Sequence, residues 1–581
     1  MKRYLIILTA SFILGGTFLA SSATEPAEDN VLKAMGDELT RSMTLRLEGL
    51  EAPYFIQYEV ADSTTDRISA AYGALLQSDQ THSRTLVSQL RVGSDALDNS
   101  NFSGGRFGGG RSGLSASTAL PTDDDYLAIR QAIWRATDAQ FKDALEILTR
   151  KQAYLKDRSR EDRPPDFSKV SPTVAVKERA TLSFDRAPWE NYVRNISARC
   201  REFTNLHSAD VFLVAGVAHR YLVNSEGARL RDGQTETLLR ITLEAQAEDG
   251  QWLSDYISFF APTPEQLPPA NEVLTGVTQL ADRLGQATRA PILEDYAGPV
   301  LFDGLAATQL FRQLLGSGVL GQPDPVGAPR RSGQGGDDLD NRVGKRILPA
   351  GFQIYDDPLE PKYENSFLAG HYLIDDEAVP AQRVNIVVDG KLEGMLMSRT
   401  PTRRFRQSNG HGRRGGAETP RAALGCLYVE SNKGLDAEHL KKELLDAADG
   451  EGLKFGLRVT GLQSRAGGGR GGGPGGRFGR GGRGGGAARV VGDPIYVYKV
   501  FVADGHEEPV RGCEFSSLDM QSLRKILAVG NLRAVQNNVV GATPSSSIIA
   551  PAVLIGEVEV SRIQMEGEKK PILDGPLARH N

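Results

Sequence analysis

The stretch 298-GPVLFDGLAATQLFRQLLGSGVLGQPD-324 has the frame of a site-bearing helix. An apolar run from Pro299 to Phe302 leads through a turn at Asp303-Gly304 into helical apolar spacing from Leu305 to Leu315. The polar side chains offered there are Arg312, Gln313 and Ser317. An arginine has no free lone pair and stays protonated, so it cannot ligate a cation, and a Gln amide cannot take up a proton as a carboxylate does. All three donate hydrogen bonds and suit a peptide carbonyl or carboxylate.

Other clusters point less sharply to chemistry. His506-Glu507-Glu508 lies between Gly505 and Pro509 with no second His at zinc-binding spacing, which reads as a hairpin turn. Asp375-Asp376-Glu377 cannot converge on a metal from a strand, where neighbours point to opposite faces, and reads as a polar turn with His371 just upstream. Arg403, Arg404, Arg406, Arg413 and Arg414, with Arg383 before them, either grip the backbone or carboxylate of a peptide or line a solvated loop. No GxSxG and no GxxxxGK[ST] is present. Cys200, Cys426 and Cys513 are too few and too far apart for a disulfide framework or a zinc knuckle, leaving core thiols or a single bridge.

The elements that would position these groups follow from periodicity. Helical patterns run from Asn30 to Leu50, from Asp123 to Asp157, around Trp189 to Arg201, from Glu272 to Arg289, and over 434–450 and 517–530. Alternation at 54–62, 67–78 and 83–94 predicts a three-run antiparallel meander, and Asn224-Ser-Glu-Gly227 and Glu248-Asp-Gly250 are hairpin turns. Strands at 382–398, 494–505 and 552–565 with few crossovers predict an α+β class: an N-terminal α/β region with antiparallel strands and long helices, and a larger β-rich, barrel-like C-terminal domain.

At 581 residues the chain exceeds one ordinary core. The expected division is a signal peptide at 1–23, an N-terminal domain at 24–172, a middle domain at 173–290 and a C-terminal domain at 291–575. Lys2 and Arg3 precede an apolar run and Ser21-Ser22-Ala23, so export is expected, with cleavage after Ala23 and no membrane span in the mature chain. The 64 glycines exceed the usual seven per cent or so and concentrate in tracts. The largest, 465–489, holds six arginines and no acid, and reads as an inserted loop, or as an arm for anionic envelope polymers. The formal charge of −5 argues against a general nucleic-acid binder.

Taken together, several segments resemble the TldD/PmbA (TldD/TldE) family of metalloproteases, formerly called modulators of DNA gyrase. They are 298-GPVLFDGLAATQLF-311, the stretch opening 375-DDEAVPAQR-383, 408-SNGHGRR-414, 506-HEEPVRGCEF-515 and 548-IIAPAVLIGEVEVSR-562. The helix with 128-AIRQAIWRATDAQFKDAL-145 is similar to the secreted, TldD-related branch. The resemblance implies that enzymatic members carry HExxxH on the helix after GPV, with a later Cys completing a zinc site. On this chain the first His falls at Arg312, the Glu at Gln313 and the second His at Ser317, and no cysteine stands near 542–551.

The family's TldE-like subunits keep the fold without the zinc motif and pair with a TldD-like partner. The resemblance therefore implies a non-zinc, peptide-binding or scaffold subunit of a proteolytic pathway. It would bind no zinc cofactor, would not be catalytic alone, and would be periplasmic or extracellular. Its partners would be extended peptides and a second subunit, as a homodimer or as a heterodimer with a zinc-bearing relative. An active metallopeptidase with a non-standard site, and an envelope-polymer binding or structural protein, are the alternatives.

Overall fold

In the computed structural model the described residues are 29–103, 115–156, 163–327, 339–416, 418–463, 491–539 and 544–563. The expected signal at 1–23 and the glycine-rich tracts at 104–110, 330–336 and 465–489 lie outside them. The class is α+β, with two large sheets.

The first sheet is built on a long hairpin of β1 (Pro53–Ala71) and β2 (Ala74–Ser94), followed in space by β3 (Leu206–Asn224), β4 (Arg229–Gln246) and β5 (Trp252–Ala261), all antiparallel. Where three short runs are expected between 54 and 94, there are two long strands turning at Tyr72-Gly73. The polar Ser63-Thr64-Thr65-Asp66 segment does not break β1, because its backbone is paired on both sides, with Ser83 to Gln80 of β2 and with Ala218 to Ala215 of β3. Since β1 pairs with β3, residues on both sides of the boundary expected at 172/173 share one sheet.

Four helices cover one face of this sheet: α1 (Asn30–Ser42), α2 (Tyr126–Leu155), α3 (Arg186–Arg199) and α4 (Ala270–Arg289). Three of them begin at an aspartate that accepts from the first free amides: Asp29 from Val31 and Leu32, Asp125 from Ala128, and Asp185 from Ala187. Helix α1 stops at Ser42, short of the expected Leu50. Ile56, Tyr58 and Val60 of β1 meet α1 and α2, while Leu239, Ile241 and Leu243 of β4 meet α3 and α4. The alternate residues of the same strands therefore point to the opposite face.

The second sheet begins with β6 (Tyr296–Phe302), which is followed by α5 (Leu305–Leu315). Its remaining named elements are β7 (Phe352–Asp356), β8 (Val384–Val388), β9 (Cys426–Ser431), α6 (Ala437–Gly450), β10 (Phe455–Leu462), β11 (Pro494–Phe501), β12 (Glu507–Val510), β13 (Ile526–Asn538) and β14 (Ser546–Arg562). The strand order Lys391–Leu392, β8, β7, β9, β14, β6, β10, β11, β12 does not close, because the two end strands pair with only one neighbour each. The barrel-like expectation is corrected to an open, mixed sheet.

A second correction falls at 517–530. The helix expected there is a single turn, Met520–Lys525, capped by Asp519, after which the chain enters β13. Ile526, Ala528 and Val529 pair with β14, and this ladder overrides their helical spacing. No helix among the described residues is long and apolar enough to cross a membrane. Cys200, Cys426 and Cys513 are all buried and free, and burial pushes the Cys200 thiol up to about 11 and the Cys513 thiol up to about 12.

Candidate functional site

The strand–turn–helix frame is present as read. Gly298 sits within β6 where a Cβ would lie 2.5 Å from Leu453 Cδ1 and 2.7 Å from the Tyr296 hydroxyl. Gly304 enters α5 at φ 55°, a left-handed conformation suited to glycine. Asp303 holds the turn by accepting from the Gly304 amide at 2.7 Å and from Arg458 Nη2 at 2.7 Å. Ala306, Leu310, Phe311, Leu314 and Leu315 bury one face of α5 in the core of the second sheet. The face bearing Gln309, Arg312 and Gln313 is half-buried.

The side chains on that face have divided roles. Gln313 Oε1 accepts from the Gly492 amide at 2.7 Å and its Nε2 donates to the Gln463 carbonyl at 3.3 Å, while Gln309 Oε1 accepts from the Leu462 amide at 2.7 Å. Gln313 thus clamps the end of β10 to the approach to β11. Gln313→Glu would set a carboxylate against the Gln463 carbonyl, and a loss of about 1 kcal/mol in urea unfolding is expected. An unchanged midpoint would mean that the clamp carries no energy.

Arg312 makes no hydrogen bond or ion pair within the described residues, and burial pulls its guanidinium below the ordinary value. Ser317 is exposed, past the end of the helix. These three positions do not fit a zinc ion: one supplies a cation, one has both ends of its amide engaged by backbone, and the third is a lone hydroxyl. Among the described residues, no group of three His, Cys, Asp or Glu side chains is placed to hold a metal.

The acidic turn and the basic loop, read separately in the sequence, come together at the junction of the two sheets. Asp375 Oδ1 accepts from the Glu377 and Val379 amides at 2.9 and 2.8 Å, and its Oδ2 accepts from the Gly412 amide at 2.9 Å. Asp376 accepts from Arg220 Nη1 at 2.8 Å and from the Arg414 amide at 2.8 Å. Arg414 Nη2 reaches Glu59 of β1 at 2.7 Å, and Gln57 Nε2 donates to the Asp376 carbonyl at 2.9 Å. Arg399, fully buried, donates its amide to Glu377 at 2.6 Å and its guanidinium to the Ser168 carbonyl and Glu226.

The charges sort by environment. Burial and the neighbouring Glu377 push Asp375 up to about 8, and burial pushes Glu377 up to about 7. Burial alone would raise Asp376 as well, but Arg413 and Arg220 outweigh it and hold this carboxyl below its usual range.

Of five arginines read as peptide-binding candidates, Arg383, Arg403, Arg404, Arg413 and Arg414, the last two differ from that expectation. Both are largely buried: Arg413 lies over the Tyr372 ring at 4.0 Å and beside Asp376, and Arg414 is spent on Glu59. Arg414 is consumed in docking one sheet on the other, and Arg413 within the turn that docks. Arg403 and Arg404 are exposed on the loop before them, and exposed Arg383 stacks over Tyr355 at 3.7 Å on a separate part of the sheet. The five therefore do not form one cluster. His506 stacks on Phe501 in an exposed turn, bonded to Asp504 at 2.5 Å, and His371 Nδ1 meets the Pro358 carbonyl at 2.8 Å.

Sequence reasoning missed Arg240 and Tyr256, which share the sheet face turned away from the helices. The Arg240 guanidinium lies over the Tyr256 ring at 4.6 Å. The only signal was an Arg at an alternate position of a strand, indistinguishable from a solvated one.

Residues 295–464 match the family model of the PmbA/TldA metallopeptidase C-terminal domain. That segment is a domain of the TldD/PmbA family. TldE from Thermococcus kodakarensis has the same fold, with a TM-score of 0.56, 13% identity, and coverage of 91% of this chain and 100% of that one. A candidate modulator of DNA gyrase from Bacteroides thetaiotaomicron gives 0.55, 14%, 92% and 98% for the same measures. A second such protein, from Thermotoga maritima, gives 0.53, 16%, 87% and 96%. No curated protein matches. At these identities the solved structures speak for the fold, and the family rests on residues 295–464, the segment that carries α5 and the acidic turn.

Proposed function

We propose that this TldD/PmbA-family chain is a non-zinc, TldE-like subunit that binds extended peptides in a proteolytic pathway, exported and paired with a second copy or with a zinc-bearing relative. The observation that carries the reading is the split on α5. The helix and its glycine entry are present, while Gln313 is absorbed into a backbone clamp and the half-buried Arg312 side chain has no partner among the described residues. A guanidinium in that position has nothing to offer a metal and strong hydrogen bonds to offer an oxygen-rich ligand.

Metal analysis of the purified full-length protein, with a peptidase assay with and without a chelator, tests the reading. The expected result is far less than one zinc per chain and no chelator-sensitive cleavage. Stoichiometric zinc with chelator-sensitive turnover would overturn it in favour of a metallopeptidase. Affinity purification of the tagged chain from its own cell envelope would show the pairing as a stoichiometric second subunit.

A further inference from the structure

The helices cover one face of the first sheet, and the second sheet docks on only part of the other. Gln57, Glu59, Arg220 and Leu222 lie under the 374–378 turn. Farther along the same face, Arg240 on β4 and Tyr256 on β5 are half-buried. The cation there has no counter-charge: Arg240 makes no hydrogen bond or ion pair within the described residues, and its Nε is buried without an acceptor. Arg312 on α5 also feels Tyr256, and its side chain is likewise unpaired among the described residues.

Burial draws both guanidiniums below their ordinary value, and Tyr256 opposes that pull on each of them. Other arginines drawn into the interior are treated differently. Arg220 meets Asp232 and Asp376, Arg399 meets Glu226, Arg414 meets Glu59 and Arg511 meets Asp249. Removing a cation from water without an anion is unfavourable, and two such cations beside one tyrosine, one of them over its ring, make a site with donors to spare.

We propose that Arg240, Arg312 and the Tyr256 hydroxyl form a carboxylate-binding site that takes the C-terminal carboxylate of an extended peptide. Guanidinium groups match a carboxylate with paired hydrogen bonds, and the ring of Tyr256 holds Arg240 in place by its face. The proposal rests on the peptide-binding reading above and gives it a direction, since the peptide would be held by its end. An acidic side chain offers the same chemistry, so the test must separate the two sources.

The test is fluorescence anisotropy with the full-length protein and three labelled octapeptides of Ala, Ser and Leu. One has a free C-terminal acid, one a C-terminal amide, and one an amide with a single internal Glu. The free acid is expected to bind about tenfold more tightly than either amide. Arg312→Met and Arg240→Met, each checked for an unchanged unfolding transition, should each abolish that preference; Arg312→Met alone suffices if the other does not fold. Equal binding of the acid and the internal-Glu peptide would overturn the assignment to the chain end. Equal binding of all three would overturn the carboxylate site and leave peptide binding standing, whereas binding of none would overturn both.

Discussion

Arg220→Ala is expected to lose about 3–5 kcal/mol of stability, read as a lower urea midpoint, because it leaves two carboxylates without their buried cation. The guanidinium uses its whole fork. Nη1 donates to Asp376 Oδ1 at 2.8 Å and to the Asp375 carbonyl at 3.0 Å, and Nη2 donates to Asp232 Oδ2 at 2.8 Å and to the Ile374 carbonyl at 3.1 Å. Asp232 belongs to the first sheet and Asp376 to the turn that docks on it, so one side chain joins the two halves. Arg220→Lys should recover little, since an ammonium cannot reproduce a planar fork. A loss below about 1 kcal/mol would show that the docking holds without this bridge.

Lys151→Met should cost about 3 kcal/mol in the same assay. The ammonium at the C-terminal end of α2 is fully buried, donating to Asp166 Oδ2 at 2.6 Å and to the carbonyls of Asp98 and Ser100. Burial holds its pKa below the ordinary lysine value even though Asp166 and Asp98 pull it back up. Methionine fills the same space but leaves two carbonyls and part of a carboxylate unsatisfied; Arg163 still reaches Asp166, which keeps the loss at the lower end. Lys142→Met, in an exposed pair with Asp138 on the same helix, is the control and should change stability by a few tenths of a kcal/mol at most. Equal effects from the two would mean that the buried network is not what ties α2 to the loop before it.

Much of this was legible in the chain. The helices over 126–155, 270–289, 305–315 and 437–450 announce themselves by apolar spacing, and several by an aspartate before the first turn. The strand–turn–helix from 296 to 315 was legible for the same reason, since local propensity and packing agree there. The readings that failed did so where distant partners outvote local preference. Ser63 to Asp66 looks like a turn until strands on both sides pair with it, and 526–529 looks helical until β14 claims its amides. The sheet's failure to close depends on where its end strands lie, which periodicity does not encode.

The candidate site divides in the same way. The identities of Arg312, Gln313 and Ser317 are a property of the sequence, and with them the loss of any group on that helix able to bind zinc. That Gln313 is spent on backbone while the Arg312 side chain has no partner among the described residues, and that Arg413 and Arg414 are consumed inside the junction, are decided only in three dimensions. A charged side chain's meaning depends on whether a counter-charge stands within a few ångströms, and those counter-charges, Glu59 for Arg414 and Asp232 for Arg220, are contributed by strands of the other sheet or paired across it. Sequence alone thus determined the fold class and the residue types this helix offers; tertiary structure decided that Arg312, its one cation, has no counter-charge among the described residues, because counter-charges come from elements distant in the chain.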